Sequence, residues 1–111
     1  MKKLAFPTEG GKLSQHFGHS REFYFFEIEN NKIVKKYTSE PPAHAEGTIP
    51  RWLAAEKVTD LLVGGIGPKA VEILSAAGIN VFVSVEVDIV DNLALDFING
   101  DLKFGQNYCS H

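Results

Sequence analysis

The chain has 111 residues, of which 44% are hydrophobic and 23% charged, and its net charge is −3. These values are typical of one globular domain with its own core, and they exclude a disordered chain. The acidic balance disfavours a general nucleic-acid or anionic-membrane binder, and no apolar run approaches the roughly 20 residues that span a bilayer. Cys109 is the only cysteine, so an internal disulfide is impossible and a cytoplasmic location is expected.

Hydrophobic periodicity and turn residues predict an α/β domain with elements in the order β-β-β-α-β-α-β-α. The predicted strands cover residues 3–6, 23–29, 33–38, 61–63 and 79–85, and the predicted helices cover residues 50–57, 68–77 and 89–99. In the second strand, Tyr24, Phe26 and Ile28 alternate with Phe23 and Phe25, so the two sets are expected on opposite faces.

Several single residues predict where these elements begin and end. Pro7 is expected to close the first strand, and Asn30-Asn31 suits a tight turn because asparagine tolerates the left-handed backbone region. Thr48 and Asp88 are predicted to cap the first and third helices. Gly78 is expected just after the end of the second helix.

The stretch from Leu61 to Ala70 reads as a buried strand, a glycine turn and a helix start. Gly64 and Gly65 allow positive φ and close backbone approach, as does Gly67, and Pro68 suits the first helical position. The turn lacks both the P-loop ending and the dinucleotide-binding pattern. A tight β-to-α connection is the plainer interpretation, but amide groups at a helix N-terminus also favour an anion.

Strand direction predicts where a ligand would bind. A hairpin return followed by a right-handed βαβ unit makes the first, third, fourth and fifth strands parallel and the second antiparallel to them. The loops 7–22, 39–47 and 64–67 then lie at one edge of the sheet. In open α/β sheets this edge, at the carboxyl ends of the parallel strands, is where ligands bind. Residues 101–111 begin at the opposite edge but can extend by up to about 35 Å.

All four histidines and the only cysteine lie outside the predicted strands and helices. His16, His19 and His44 are in two of the loops at the predicted ligand edge, and Cys109 and His111 are in the C-terminal tail. Imidazole and thiolate ligate iron, zinc and copper, although no zinc-type spacing is present. Surface histidines without a function are the plainer alternative. The carboxylates do not converge on this edge, which disfavours a two-metal nuclease.

Two segments resemble the signatures of the dinitrogenase iron–molybdenum cofactor-binding family. The first is Gln15-His16-Phe17-Gly18-His19-Ser20 with Phe23 to Ile28, and the second runs from Leu62 through Ala70 to Ile79. The resemblance covers nearly the whole chain. It implies a ribonuclease H-like, three-layer α/β/α fold with a five-stranded mixed sheet, formed by one domain over residues 1–100 and followed by a polar tail, 101–111.

The resemblance also implies a function. Family members bind or carry the iron–molybdenum cofactor or related iron–sulfur clusters and have no known turnover of their own, so a non-enzymatic carrier in metallocluster biosynthesis for nitrogen fixation is expected. His16 matches the family's His-Phe-Gly histidine. His44 lies in a loop that bears histidine in many members, and the tail with Cys109 and His111 is similar to that of several small members, so these residues are expected as auxiliary or mobile ligands. Proteins that donate or accept the cluster would be the partners. The cluster type and the oligomeric state stay open.

Helix-terminus electrostatics add one expectation about the glycine turn. The backbone amides of Gly64 and Gly65 would face the anionic surface of a cluster or of homocitrate. The alternative function is a non-metal interaction module that binds a small anion, a nucleotide or a partner protein at the same edge.

Overall fold

The computed structural model describes residues 1–15, 17–43 and 47–105, with only the backbone of His19. The strands of this part of the chain are β1 (Lys2–Glu9), β2 (Lys12–Leu13), β3 (Glu22–Glu29), β4 (Lys32–Ser39), β5 (Asp60–Leu62) and β6 (Asn80–Phe82). The helices are α1 (Thr48–Ala55), α2 (Pro68–Ala76) and α3 (Val90–Asn99), and a 3-10 helix covers Phe17–His19. Every helix in these ranges is too short or too polar to cross a membrane.

The described strands form one mixed sheet in the order β4-β3-β1-β5-β6, with β2 paired to β1. β3 is antiparallel to β1 and β4, whereas β5 is parallel to both β1 and β6. The predicted strand directions are therefore confirmed. The predicted count of five strands is wrong because β2 is a sixth: Gly10 and Gly11, both at positive φ, turn the chain back onto the end of β1.

The prediction that Pro7 closes the first strand is wrong, because β1 continues past it to Glu9. Proline is tolerated in a strand where its missing N–H is not needed. Lys3 directs its carbonyl towards the β5 side, where it accepts from the Thr59 amide at 2.9 Å. The two-residue period of a strand points Pro7 to the same side, but beyond Ala5, the last β1 residue paired with β5. There the Pro7 carbonyl accepts from the Ser14 amide at 2.8 Å.

Two hydrophobic cores, one on each face of the sheet, make this a three-layer α/β/α domain. The first core packs α1 and α2 against the sheet, and the second packs α3 against the other face. β3 contributes to both, with Phe23 and Phe25 in the first core and Phe26 and Ile28 in the second. The predicted alternation of this strand is therefore confirmed.

The N-caps of α1 and α3 are not the predicted polar residues. Gly47, in the left-handed region, is the N-cap of α1 in place of Thr48. Ile89 is the N-cap of α3, although the Asp88 carboxylate accepts from the Ile89 amide at 2.7 Å. Pro68 occupies the first turn of α2, and Gly78 follows this helix at positive φ, both as predicted.

The segment that follows β6 pairs with residues 103–105, at the edge that is predicted to bind a ligand. β6 ends at Phe82, earlier than the predicted Val85, and Ser84 lies at φ 60°. Residues 103–105 run antiparallel beside residues 84–86, and the Glu86 amide donates to the Lys103 carbonyl at 3.0 Å. The tail therefore reaches the carboxyl end of the sheet by residue 105, a return that the sequence left open.

The turn between β3 and β4 has the predicted geometry, with Asn30 and Asn31 at φ 54° and 62°. A β-branched residue pays a steric penalty in this region, so Asn31→Val is expected to lower the free energy of unfolding by about 1–2 kcal/mol. Asn31→Gly, which has no such penalty, should leave it nearly unchanged. Urea unfolding of both variants checks this, and equal stabilities would contradict it.

Candidate functional site

Two chain segments meet at the carboxyl end of β5, where the topology predicts a ligand. One is the glycine pair, Gly64 and Gly65, which follows the strand. The other is the segment between β2 and the 3-10 helix, of which the structure describes Ser14, Gln15 and Phe17. We call it the histidine loop, after the His16 in its sequence. Contacts between the two determine the geometry of this edge.

The histidine loop is anchored in both cores. Leu13, just before it, is 3% exposed in the second core, and Phe17, at its end, is 6% exposed in the first. The Phe17 ring packs edge-on against Phe23 with the ring centroids 5.9 Å apart. The Ser20 hydroxyl donates to the Phe17 carbonyl at 3.2 Å. Because its two anchors lie on opposite faces, the loop crosses the upper edge of the sheet.

The histidine loop lies directly on the glycine pair. The Phe17 amide donates to the Gly65 carbonyl at 3.2 Å. A Cβ added to Gly65 would lie 2.8 Å from the Gln15 carbonyl oxygen, and one added to Gly64 would lie 3.3 Å from the Gln15 Cα. Neither glycine has positive φ, and neither does Gly67, so that part of the prediction is wrong. The predicted close backbone approach is confirmed, and its partner is the histidine loop.

The electrostatics of this edge favour a negative ligand. The carbonyls of the glycine pair accept from Ser84 and Phe17, whereas within the described residues the amides of the pair donate to no backbone carbonyl. Neither α1 nor α2 has an acidic residue in its first turn or a side-chain cap. Both helices begin at this edge, so the partial positive charges of their N-termini are not neutralised by carboxylates of their own.

The four predicted metal ligands lie outside the described residues: His16, His44, Cys109 and His111. In the described ranges, no group of three or more His, Cys, Asp or Glu side chains is arranged to hold a metal ion. Gln15 and Phe17, which precede and follow His16 in the chain, both contact the glycine pair. Gly105, four residues before Cys109, donates its amide to the Ser84 carbonyl, and the Ser84 amide donates to the Gly64 carbonyl.

Sequence reasoning missed the buried carboxylate of Asp60 at the opposite edge. Asp60 is 1% exposed, and its carboxylate accepts from the Thr59 hydroxyl at 2.7 Å and the Asn80 amide at 3.0 Å. Because the bond from Asn80 joins β5 to β6, Asp60 has a structural role at the edge opposite the histidine loop. The polar segment before β5 gave no periodic signal that would have predicted its burial.

The strand order and the two helical layers define a ribonuclease H-like α/β/α domain, in which two loops are in contact at the edge that is predicted to bind a ligand. The chain matches the dinitrogenase iron–molybdenum cofactor family over residues 1–100, and it belongs to that family. Membership relates the protein to the dinitrogenase iron–molybdenum cofactor and confirms the resemblance found in the sequence.

Individual proteins are similar to this chain over nearly its whole length. The uncharacterized protein MJ0580 of Methanocaldococcus jannaschii is 34% identical over 108 residues, which cover 93% of this chain and 91% of its own. The crystal structure of PH0822 is similar with a TM-score of 0.89 at 28% identity, covering 98% of this chain and 99% of its own. The apo form of the orange protein from Desulfovibrio gigas has a TM-score of 0.80 at 25% identity, covering 96% and 94%.

Proposed function

We propose that this protein is a non-enzymatic, cytoplasmic carrier that holds an iron–sulfur or iron–molybdenum cluster, or a precursor of one, during metallocluster biosynthesis. The observation that carries the proposal is the contact between the two loops. The histidine loop is anchored in both cores, and it lies on the glycine pair with Gln15 and Phe17 on either side of His16. A ligand at this position would be presented at the sheet edge.

His16 is proposed as the main ligand because an imidazole nitrogen is a common ligand for iron. His44 precedes Gly47 by three residues, and Cys109 follows Gly105 by four. A chain of these lengths spans at most about 11 Å and 14 Å, respectively. Since Gly105 is hydrogen-bonded through Ser84 to Gly64, the reach of the tail is compatible with auxiliary ligation by Cys109 and His111.

The charge of the cargo agrees with the electrostatics of the edge. Sulfide, thiolate and carboxylate ligands give such clusters a negative surface. It would be attracted by helix N-termini without acidic residues, and by backbone amides that donate to no backbone carbonyl of the described residues. The amides of Gly64 and Gly65 are the proposed donors. They would hold the cluster without a covalent bond, so that it can be released.

Weak holding by few ligands suits a protein that receives a cluster from one partner and delivers it to another. The partners would be metallocluster donor and acceptor proteins.

Anaerobic reconstitution tests the proposal. The full chain is incubated with ferrous iron and sulfide, with and without molybdate, and desalted; iron, sulfide and molybdenum are then counted per chain beside the visible spectrum. We expect stable loading of the wild type and at least about a tenfold loss in His16→Ala, because a carrier with few ligands cannot replace one of them. His19→Ala is the matched control, and it should load like the wild type.

Two outcomes would overturn the proposal. If His16→Ala retains its cluster, the ligand assignment is wrong. If the wild type takes up no cluster but binds a small anion through the glycine pair, the protein is a non-metal interaction module at the same edge.

A further inference from the structure

The glycine pair has a feature that anion binding does not explain. An alanine keeps its backbone N–H, so a residue needed only as an amide donor need not be a glycine. Gly65, however, has no room for a Cβ, because that atom would lie 2.8 Å from the Gln15 carbonyl oxygen. Real Cβ atoms essentially never come so close to a backbone oxygen. The glycine at this position therefore allows the neighbouring histidine loop to pack closely against the backbone.

We propose that Gly65 is a positioning residue, which fixes the height above the end of β5 of Gln15 and Phe17, the two chain neighbours of His16. Gly65 holds the loop at two points: its missing side chain admits Gln15, and its carbonyl accepts from the Phe17 amide at 3.2 Å. Both points flank His16 in the chain. This inference rests on the proposed function only where it concerns the cluster.

Steric contact, and not backbone strain, sets the expected effects. Gly64, Gly65 and Gly67 all lie outside the positive-φ region. An alanine at any of these positions is therefore destabilising only through steric contact of its Cβ with neighbouring atoms. That space decreases in a clear series. A Cβ at Gly67 meets nothing within 4 Å, one at Gly64 meets the Gln15 Cα at 3.3 Å, and one at Gly65 meets the Gln15 carbonyl oxygen at 2.8 Å.

A Cβ at Gly65 would displace Gln15 in one direction, away from β5. Phe17 is held in the first core and the Ser14 amide is held by the Pro7 carbonyl, so both ends of the loop are fixed. A methyl group at Gly65 would push Gln15 away from β5 between these anchors. The bond from the Phe17 amide to the Gly65 carbonyl is the contact that this displacement would stretch.

The experiment compares Gly65→Ala, Gly64→Ala and Gly67→Ala in the full chain, first without any cluster. Amide hydrogen exchange by NMR reports on the Phe17 N–H, and the imidazole signals report on the surroundings of His16. We expect at least tenfold faster exchange at Phe17 and shifted His16 signals in Gly65→Ala. The effect should be smaller in Gly64→Ala and absent in Gly67→Ala. Cluster loading should decrease in the same order.

The inference is wrong if Gly65→Ala matches Gly67→Ala in both Phe17 exchange and His16 signals. Should Gly65→Ala fail to fold, Gly64→Ala decides, since a Phe17 exchange rate equal to that of the wild type in this milder variant would also overturn it. Failure of the proposed function looks different. In that case the wild type takes up no cluster, or His16→Ala keeps it, while the exchange series of the empty protein still ranks the three glycines.

Discussion

Phe17→Ala is expected to abolish cluster loading and to lower the free energy of unfolding by about 3 kcal/mol. The ring is 6% exposed, belongs to the first core and packs edge-on against Phe23. Its removal takes away buried apolar surface and leaves a cavity. It also frees the end of the histidine loop, because the core contacts that fix Phe17 over the Gly65 carbonyl are lost.

Two control variants separate loss of the anchor from loss of stability. Phe17→Leu retains most of the buried volume, so we expect a cost of about 1 kcal/mol and nearly normal loading. Leu53→Ala removes a fully buried side chain from α1 and should cost about 2–5 kcal/mol without changing the loop. Unfolding is followed by urea titration, and loading is measured where circular dichroism shows every variant folded. Full loading of Phe17→Ala would refute the role of the anchor.

Asp60→Ala should also destabilise the protein, but it should leave cluster loading unchanged. We expect a free energy of unfolding lowered by about 2–3 kcal/mol. The carboxylate is 1% exposed and accepts from Thr59 and Asn80, with the Lys2 ammonium 3.9 Å away. Without it, the Asn80 amide loses its acceptor and the Thr59 hydroxyl loses one of its partners, since Thr59 also bonds Lys3. Asn80 is exposed and Thr59 half-buried, so the expected cost comes from the lost hydrogen bonds to a charged group, which contribute about 1.5–3 kcal/mol each.

The controls for Asp60 test whether the carboxylate itself matters. Asp60→Asn retains the shape but replaces one acceptor with a donor, so its cost should lie between those of the wild type and Asp60→Ala. Glu29→Ala removes an exposed carboxylate from the end of β3 and should change stability by less than about 0.5 kcal/mol. If Asp60→Ala is as stable as Glu29→Ala, the buried network contributes nothing. If it loses its cluster, the two edges of the sheet are coupled.

Local patterns were sufficient wherever a residue's own neighbours along the chain decide its conformation. The alternation of Phe25 and Phe26 predicted the two faces of β3, and Asn30-Asn31 predicted the turn at positive φ. The connection rules then gave the directions of the five predicted strands, but not the existence of β2, and the edge at which the histidine loop lies. These features follow from backbone sterics and hydrophobic period alone, so they are available in the sequence.

Contacts between distant parts of the chain decided the remainder. β1 continues through Pro7 because no partner strand requires an N–H there. β6 ends before Ser84, which has positive φ, and Val85 just beyond it pairs with Phe104. In the sequence Gly65 is a flexible residue before a helix, whereas in the fold it is the only residue type that leaves room for Gln15. Glycine is required here because it lacks a Cβ atom. Only the segment that packs into the resulting space, here the histidine loop after β2, shows this requirement.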